Sequence, residues 1–360
     1  MAEGPLSGIR VVEFMGLGPG PFGCLLLADL GAEILTVARP GQQPRSMLRN
    51  RAVIEVDAKE PTAAEALHAV IDRADVVVEG FRPGVLERMG FAPVALRERN
   101  RGLIVARMTG WGQTGPYAAR AGHDITYIAV TGALHVSARA GTAPVPPANL
   151  LGDFGAGGMY LVTAVLAALV ERARTGEGQV LDVAIVDGAN YLTSMLHEYR
   201  AHGRWSDEPG TNRLDTGAPY YDVYRTADGG YVAVGALEDK FFEELADLLG
   251  LSGADRQDRQ DPRSWPRLRS RIADAIGSRT RDEWADLAAA TDACLAPVLS
   301  LAEAAGNPHV AARGILHGDP EHGWEPRLPL GHAPAGAEAG QVLRRWGVAG
   351  DHRDRLLAAY

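Results

Sequence analysis

Residues 107–116 read Arg107-Met108-Thr109-Gly110-Trp111-Gly112-Gln113-Thr114-Gly115-Pro116, a basic residue leading into a glycine-rich loop, and Gly122-His123-Asp124 follows at the predicted start of a helix. One carboxylate stands among glycines in Gly152-Asp153-Phe154-Gly155, and another ends Val234-Gly235-Ala236-Leu237-Glu238. An imidazole and a pair of carboxylates can move a proton on and off carbon, because each accepts a proton in one step and returns it in another. No pattern marks a metal, a flavin or a serine nucleophile, so acid–base work is the expected chemistry.

Such residues need a scaffold that brings them together. The chain has 360 residues, for which two domains are the default expectation. Hydrophobic residues make up 46%, enough for a large core. The formal charge of −9 and pI near 5.6 speak against a nucleic-acid partner, while local arginines leave an anionic ligand open. Cys24 and Cys294 are far apart in sequence, which predicts reduced thiols and a cytoplasmic setting. Residues 1–9 lack a basic-then-apolar signal pattern. The longest apolar run, 159–170, has 12 residues and is interrupted by Thr163; it is too short to span a bilayer and reads as a buried helix.

Strands are predicted over 9–14, 33–37, 53–56, 74–79 and 103–108, with helices over 21–30 and 63–73. The alternation implies an α/β fold with a parallel sheet covered on both faces. Ligands on such sheets bind beyond the carboxyl ends of the strands, so the arginine-bearing turns there are the places to look. After about Ile185 the alternation stops, and residues 191–217 read as a connector. A hairpin over 220–225 and 231–236 turns at Asp228-Gly229-Gly230. Helices follow over 239–249, 267–276 and 281–290, with a charged surface loop at 253–265 and a short strand at 294–298. The tail from Pro326 is rich in Pro, Ala and Gly and ends in a helix near 351–359.

Gly18-Pro19-Gly20-Pro21-Phe22-Gly23 matches the dinucleotide fingerprint literally. Pro19 and Pro21 lack the N–H groups that cradle a pyrophosphate, and the second strand ends in Ala38-Arg39 rather than in an acid for a ribose. The arginine would suit a ribose phosphate, so an NADP oxidoreductase stays among the alternatives.

With RMTGWGQTGP, the GHD triplet, Gly152-Asp153 and the run ending in Glu238 in view, the chain resembles the α-methylacyl-CoA racemases, a branch of the class III CoA transferases. The likeness extends over Pro5-Leu6-Ser7-Gly8-Ile9-Arg10-Val11-Val12-Glu13, Glu79-Gly80-Phe81-Arg82-Pro83-Gly84, Asp292-Ala293-Cys294 and Pro297-Val298, which is nearly the whole chain. The resemblance implies a Rossmann-like large domain (1–190), the connector (191–217), a smaller α+β domain (218–315) and a C-terminal segment (316–360) returning to the large domain. It also implies an interlocked homodimer with active sites at the subunit interface. His123, Asp153 and Glu238 together mark the racemase branch; the transferase branch uses an aspartate near Asp153 as nucleophile and lacks the histidine. The CoA-contacting positions that the resemblance implies are Arg39, Val56, Asp57, Ala58, Lys59, Glu79, Gly80, Phe81, Arg82, Arg88, Gly122, His123, Asp124, Ile125, Thr126 and Tyr127. The pattern departs at 41–45, where the loop after Arg39 is shorter.

The expected substrate is a 2-methyl-branched acyl-CoA thioester, with coenzyme A as part of the substrate and no separate cofactor or metal. His123 and Asp153 would serve opposite faces of the α carbon. A helix N-terminus disfavours the imidazolium, leaving His123 ready to accept a proton. Asp153, read as preceding a helix from about Ala156, must hold a proton to donate; a neighbouring carboxylate would achieve that, and Glu238 is the expected partner. Donors for the enolate oxygen are expected at the helix start near Asp153. Arg39, Arg82, Arg88 and Lys59 suit the CoA phosphates, and Met108, Met159 or Met195 the acyl tail. The rivals are a CoA transferase with Asp153 as nucleophile, a CoA-binding protein without chemistry, and the NADP enzyme.

Overall fold

The computed structural model describes residues 4–42, 47–257, 259–321, 323–328 and 336–358. Part of the divergent 41–45 loop and the last residue of the expected C-terminal helix therefore lie outside the described residues.

The first half alternates as its apolar runs dictate: β1 (Arg10–Phe14), α1 (Pro19–Asp29), β2 (Glu33–Ala38), β3 (Arg51–Glu55), α2 (Pro61–Ile71), β4 (Val76–Glu79), α3 (Val85–Arg88), α4 (Pro93–Arg99) and β5 (Ile104–Thr109). After α5 (Asp124–Val130) come a π-helix (Leu150–Met159), α6 (Tyr160–Thr175), β6 (Val180–Ala184), α7 (Ile185–Leu192) and α8 (Ser194–Ala201). The six strands pair in parallel in the order β3-β2-β1-β4-β5-β6. In-register neighbours send alternate side chains to opposite faces: Val12, Phe14, Leu35 and Val37 pack on α2, while Val11, Ile34, Val76 and Val78 pack on α1 and α6. Each fully buried Val or Leu contributes roughly 1.5–3 kcal/mol, which is why the central strands read as unbroken apolar runs. The chain order reverses between β1 and β4, opening a crevice at their carboxyl ends.

The second part holds β7 (Tyr221–Arg225), β8 (Tyr231–Gly235), α9 (Asp239–Leu249), α10 (Gly253–Gln257), α11 (Trp265–Ile276), α12 (Arg281–Ala288) and β9 (Leu295–Pro297). Its three strands form an antiparallel sheet over a separate core of Tyr220, Phe242, Leu245, Leu268, Ile272 and Trp284. Asp222, buried on β7, accepts hydrogen bonds from Arg139 and Arg269, which ties the segment after α5 to α11. There follow α13 (Leu301–Ala304), α14 (Pro308–Arg313), a hairpin of β10 (Leu316–Asp319) and β11 (Gly323–Pro326), α15 (Ala339–Arg345) and α16 (Gly350–Leu357). Val342, Leu343, Trp346 and Leu356 of this tail are buried in the same core as β3 and α2.

Several expectations change, and the expected surface loop at 253–265 opens with α10. The connector contains α8, and β6 is a sixth strand where the sequence shows none. The run 159–170 is not a buried helix: Tyr160 and Val170 are exposed, and only the face bearing Leu161, Val162 and Val165 is covered. Continuous with the π-helix, it forms a helical stretch Leu150–Thr175 of 26 residues, long and apolar enough to cross a membrane by length and composition alone. Asp153 also does not precede a helix. It lies within the π-helix, whose Ala156 and Gly157 are buried against α7 and α1.

Candidate active site

The crevice is a cleft of about 440 Å³. Each wall is the turn after a parallel strand: Met15 to Gly20 after β1, Arg39 and Gln42 after β2, Gly80 to Pro83 after β4, and Gly110 and Trp111 after β5. Ala118 to His123 and Tyr127 close one side, and Asp153 lies in the floor. Two helix starts, those of α1 and α5, border it, and a helix start favours negative charge. Arg39, Arg82 and Arg120 are exposed along the lining, and no carboxylate among the described residues forms an ion pair with them. Guanidiniums without a carboxylate partner suit phosphate oxygens; that of Arg120 stacks on the Tyr117 ring at 4.2 Å.

Two buried carboxylates of the lining are each paired with an arginine. Glu13 meets Arg51 at 2.5 Å and accepts from the Thr36 hydroxyl at 2.6 Å. Glu79 accepts from Arg107 Nε at 2.8 Å and from the Phe81 N–H at 2.7 Å, while the other end of Arg107 grips Glu87 on α3. Burial pushes the Glu79 carboxyl up, and Arg107 and the Phe81 N–H pull it back. This network anchors both ends of the turn that presents Arg82.

His123 and Asp153 meet in the cleft. His123 caps α5 and is held by Thr126, whose hydroxyl accepts the His123 N–H at 3.0 Å and donates to its carbonyl at 2.7 Å. Asp153 is half-buried; burial raises its carboxyl above the usual range, Asn149 at 3.4 Å pulls it down, the Asp124 carboxylate raises it, and His123 pulls it down. Gly18 has to be glycine here: its φ is +63°, and a Cβ would stand 2.8 Å from Asp153 Oδ2. Burial raises Tyr127 as well, with Asp153 adding to the effect and Arg82 opposing it. Trp111 meets the Tyr127 ring edge-on at 4.8 Å.

Glu238 is not the carboxylate beside Asp153. It is exposed at the start of α9, near Cys294, and does not line the cleft of its own chain. The adjacent carboxylate is Asp124, whose Oδ2 accepts the Asp153 N–H at 2.7 Å. That bond also removes the Asp153 N–H from the donors expected for an enolate oxygen. Of the other expected contacts, Arg39, Glu79, Gly80, Phe81, Arg82, Gly122, His123 and Tyr127 line the cleft. Val56, Asp57, Ala58, Lys59 and Arg88 do not; Val56 and Ala58 are buried in the loop after β3, and Lys59 is exposed there. Asp124 is buried beneath the wall, and Ile125 and Thr126 face outward from α5. Met108 lines the cleft, whereas Met159 and Met195 are exposed away from it. The sequence reading passes over Arg120 and treats Gly18-Pro19-Gly20 only as a false fingerprint. The position of that triplet, directly after the first strand of a doubly wound sheet, was the available signal.

The model of CoA-transferase family III matches residues 6–348. The chain is 40% identical over 358 residues to the human alpha-methylacyl-CoA racemase, covering 99% of this chain and 93% of that protein. It is 39% identical to the mouse alpha-methylacyl-CoA racemase, covering 98% and 97%. Among solved structures, a CaiB/BaiF family protein from Brucella suis superposes with a TM-score of 0.78 at 26% identity, covering 96% of this chain and 99% of that one.

Proposed function

Since this chain belongs to CoA-transferase family III, we propose that it is a racemase inverting the α carbon of 2-methyl-branched acyl-CoA thioesters. Coenzyme A is part of the substrate, and no separate cofactor takes part. The observation that carries this reading is the meeting, in one cleft at the sheet's switch point, of His123 with an Asp153 whose carboxyl is held up by burial. One base takes the α proton, and the electron pair of the broken C–H bond passes into the enolate. The other, already protonated, returns a proton to the opposite face. Proton and charge balance without an oxidant or reductant, and the roles exchange with direction. Burial shifts the Asp153 carboxyl toward holding the proton it must give.

The enolate oxygen needs a donor. The N–H of Asp124, at the first position of α5, has no intrahelical acceptor and fits that need better than the engaged Asp153 N–H. Arg39, Arg82 and Arg120 would hold the phosphates of coenzyme A. Tyr191 and Leu192 at the end of α7 and Met195 on α8 leave an apolar stretch of chain exposed. An interlocked homodimer would cover it and bring Glu238 of the partner subunit to the cleft, beside the bases it does not reach in its own chain.

The rival within the same family is CoA transfer, with the Asp153 carboxylate attacking the thioester to give an acyl anhydride and releasing the CoA thiolate. His123 in the cleft favours proton transfer. Each enantiomer of a 2-methylacyl-CoA is incubated with the protein, then treated with hydroxylamine, and the peptide carrying Asp153 is weighed. Racemisation predicts convergence of both enantiomers on one mixture and an unmodified Asp153. A hydroxamate on Asp153 with retained configuration would establish the transferase instead.

A further inference from the structure

We propose that Asp124 is the positioning residue of the base pair: its carboxylate ties the Asp153 backbone to the helix that begins beside His123, and its charge faces the Asp153 carboxyl. This rests on the racemase reading, which assigns the two bases.

Asp124 is the first residue of α5, next in sequence to His123, and is only 6% exposed. Its Oδ2 accepts the Asp153 N–H at 2.7 Å, across 29 residues of chain. The approach requires glycine at position 152, because a Cβ there would stand 2.4 Å from that oxygen. This bond adds a direct tie between the segments carrying the two bases, which also pack together where Gly152 meets Ile128. A misplacement of about 1 Å between reacting groups can cost roughly 100-fold in rate, so such a tie has a direct use.

The other oxygen of Asp124, Oδ1, is buried and accepts no hydrogen bond among the described residues. A buried carboxylate oxygen left without a donor is unfavourable, and a purely structural tie would be served as well by an amide. The spare oxygen leaves the charge of Asp124 uncompensated beside Asp153, so that Asp153 keeps its proton to higher pH. From α5 the groups facing Asp153 are Asp124, His123 and the Tyr127 hydroxyl, and from its own helix Asn149. The start of α1 offers only Gly18, and the charge on α7, Asp187, interacts with Asp182. Arg82 faces Tyr127 from the far side.

Asp124→Asn keeps an oxygen for the Asp153 N–H but removes the charge; Asp124→Ala removes both. Protein labelled with carboxyl-¹³C aspartate is titrated by NMR, with the Asp153 signal assigned through its loss in Asp153→Asn. Exchange of the substrate α proton is followed on the same proteins across pH. Asp124→Asn is expected to move the Asp153 titration to lower pH with KM within about twofold of wild type. Asp124→Ala is expected to lose about 10- to 100-fold in kcat. An unmoved or raised Asp153 titration in Asp124→Asn overturns the proposal. If the wild type exchanges no α proton, the racemase reading fails, and the carboxyl titration still decides whether Asp124 acts on Asp153.

Discussion

Asp153→Ala is expected to lower kcat for racemisation by about 10³-fold while KM for the acyl-CoA changes little. A positioned acid or base contributes about 10²- to 10⁴-fold. The side chain lines the cleft and is not among the groups proposed to hold coenzyme A. His123→Ala should lose a comparable factor. The variants differ in what remains: each keeps one base and can still exchange the α proton of the enantiomer that presents it to that base. The pH dependence has a definite sign, because burial raises Asp153. Turnover of the enantiomer that needs Asp153 as acid falls as pH rises through its raised value. Turnover of the other, which needs the carboxylate, falls as pH drops below it. Racemisation within about tenfold of wild type in Asp153→Ala would remove this residue from the mechanism.

Arg107→Met should be strongly destabilising, costing about 3–5 kcal/mol in unfolding free energy. The guanidinium donates to Glu79 at 2.8 Å and to Glu87 at 2.8 and 3.2 Å, and the Glu79 side chain is fully buried. Without Arg107, Glu79 retains the Phe81 N–H as its donor and loses its countercharge. The pair itself is expected to add little net stability, because its desolvation offsets its attraction; the loss comes from the orphaned charge. Adding Glu79→Gln should therefore restore most of the stability, and denaturant unfolding of the two single variants and the double measures the coupling. A loss below about 1 kcal/mol in Arg107→Met, or no recovery in the double variant, would contradict this account of the turn that presents Arg82.

Much of the parallel sheet was legible because its central strands are buried on both faces. Val11-Val12, Val76-Val77-Val78 and the run at 103–106 cannot be mistaken for surface segments. Strand β6 escaped because it lies at the sheet edge, with Val180 exposed and Asp182 accepting the Gln113 N–H. Helix α8 escaped because none of its residues is buried in the single chain, so no apolar face repeats at helical spacing. The π-helix carries Gly152, Gly155, Gly157 and Gly158, a composition that reads as a loop. Gly158 lies against Phe22 of α1, a tertiary fit that local propensity does not report. At the site, the residue types beside glycines pointed to His123 and Asp153. Within a single chain the carboxylate bonded to the Asp153 backbone is Asp124 rather than Glu238; Asp124, one step from His123, looked like an ordinary first-turn acid. Only the fold shows its carboxylate reaching the Asp153 backbone across 29 positions.

The central claim is that the cleft moves an α proton through an enolate. Each enantiomer of a 2-methylacyl-CoA is incubated with the protein in deuterated water, and α-deuterium content and configuration are followed together by NMR and chiral analysis. The account predicts that deuterium enters the α position while both enantiomers converge on the same mixture. Retention of both the α proton and the starting configuration would contradict it. The next assay would then offer a free carboxylic acid as CoA acceptor, separating acyl transfer through Asp153 from binding without chemistry.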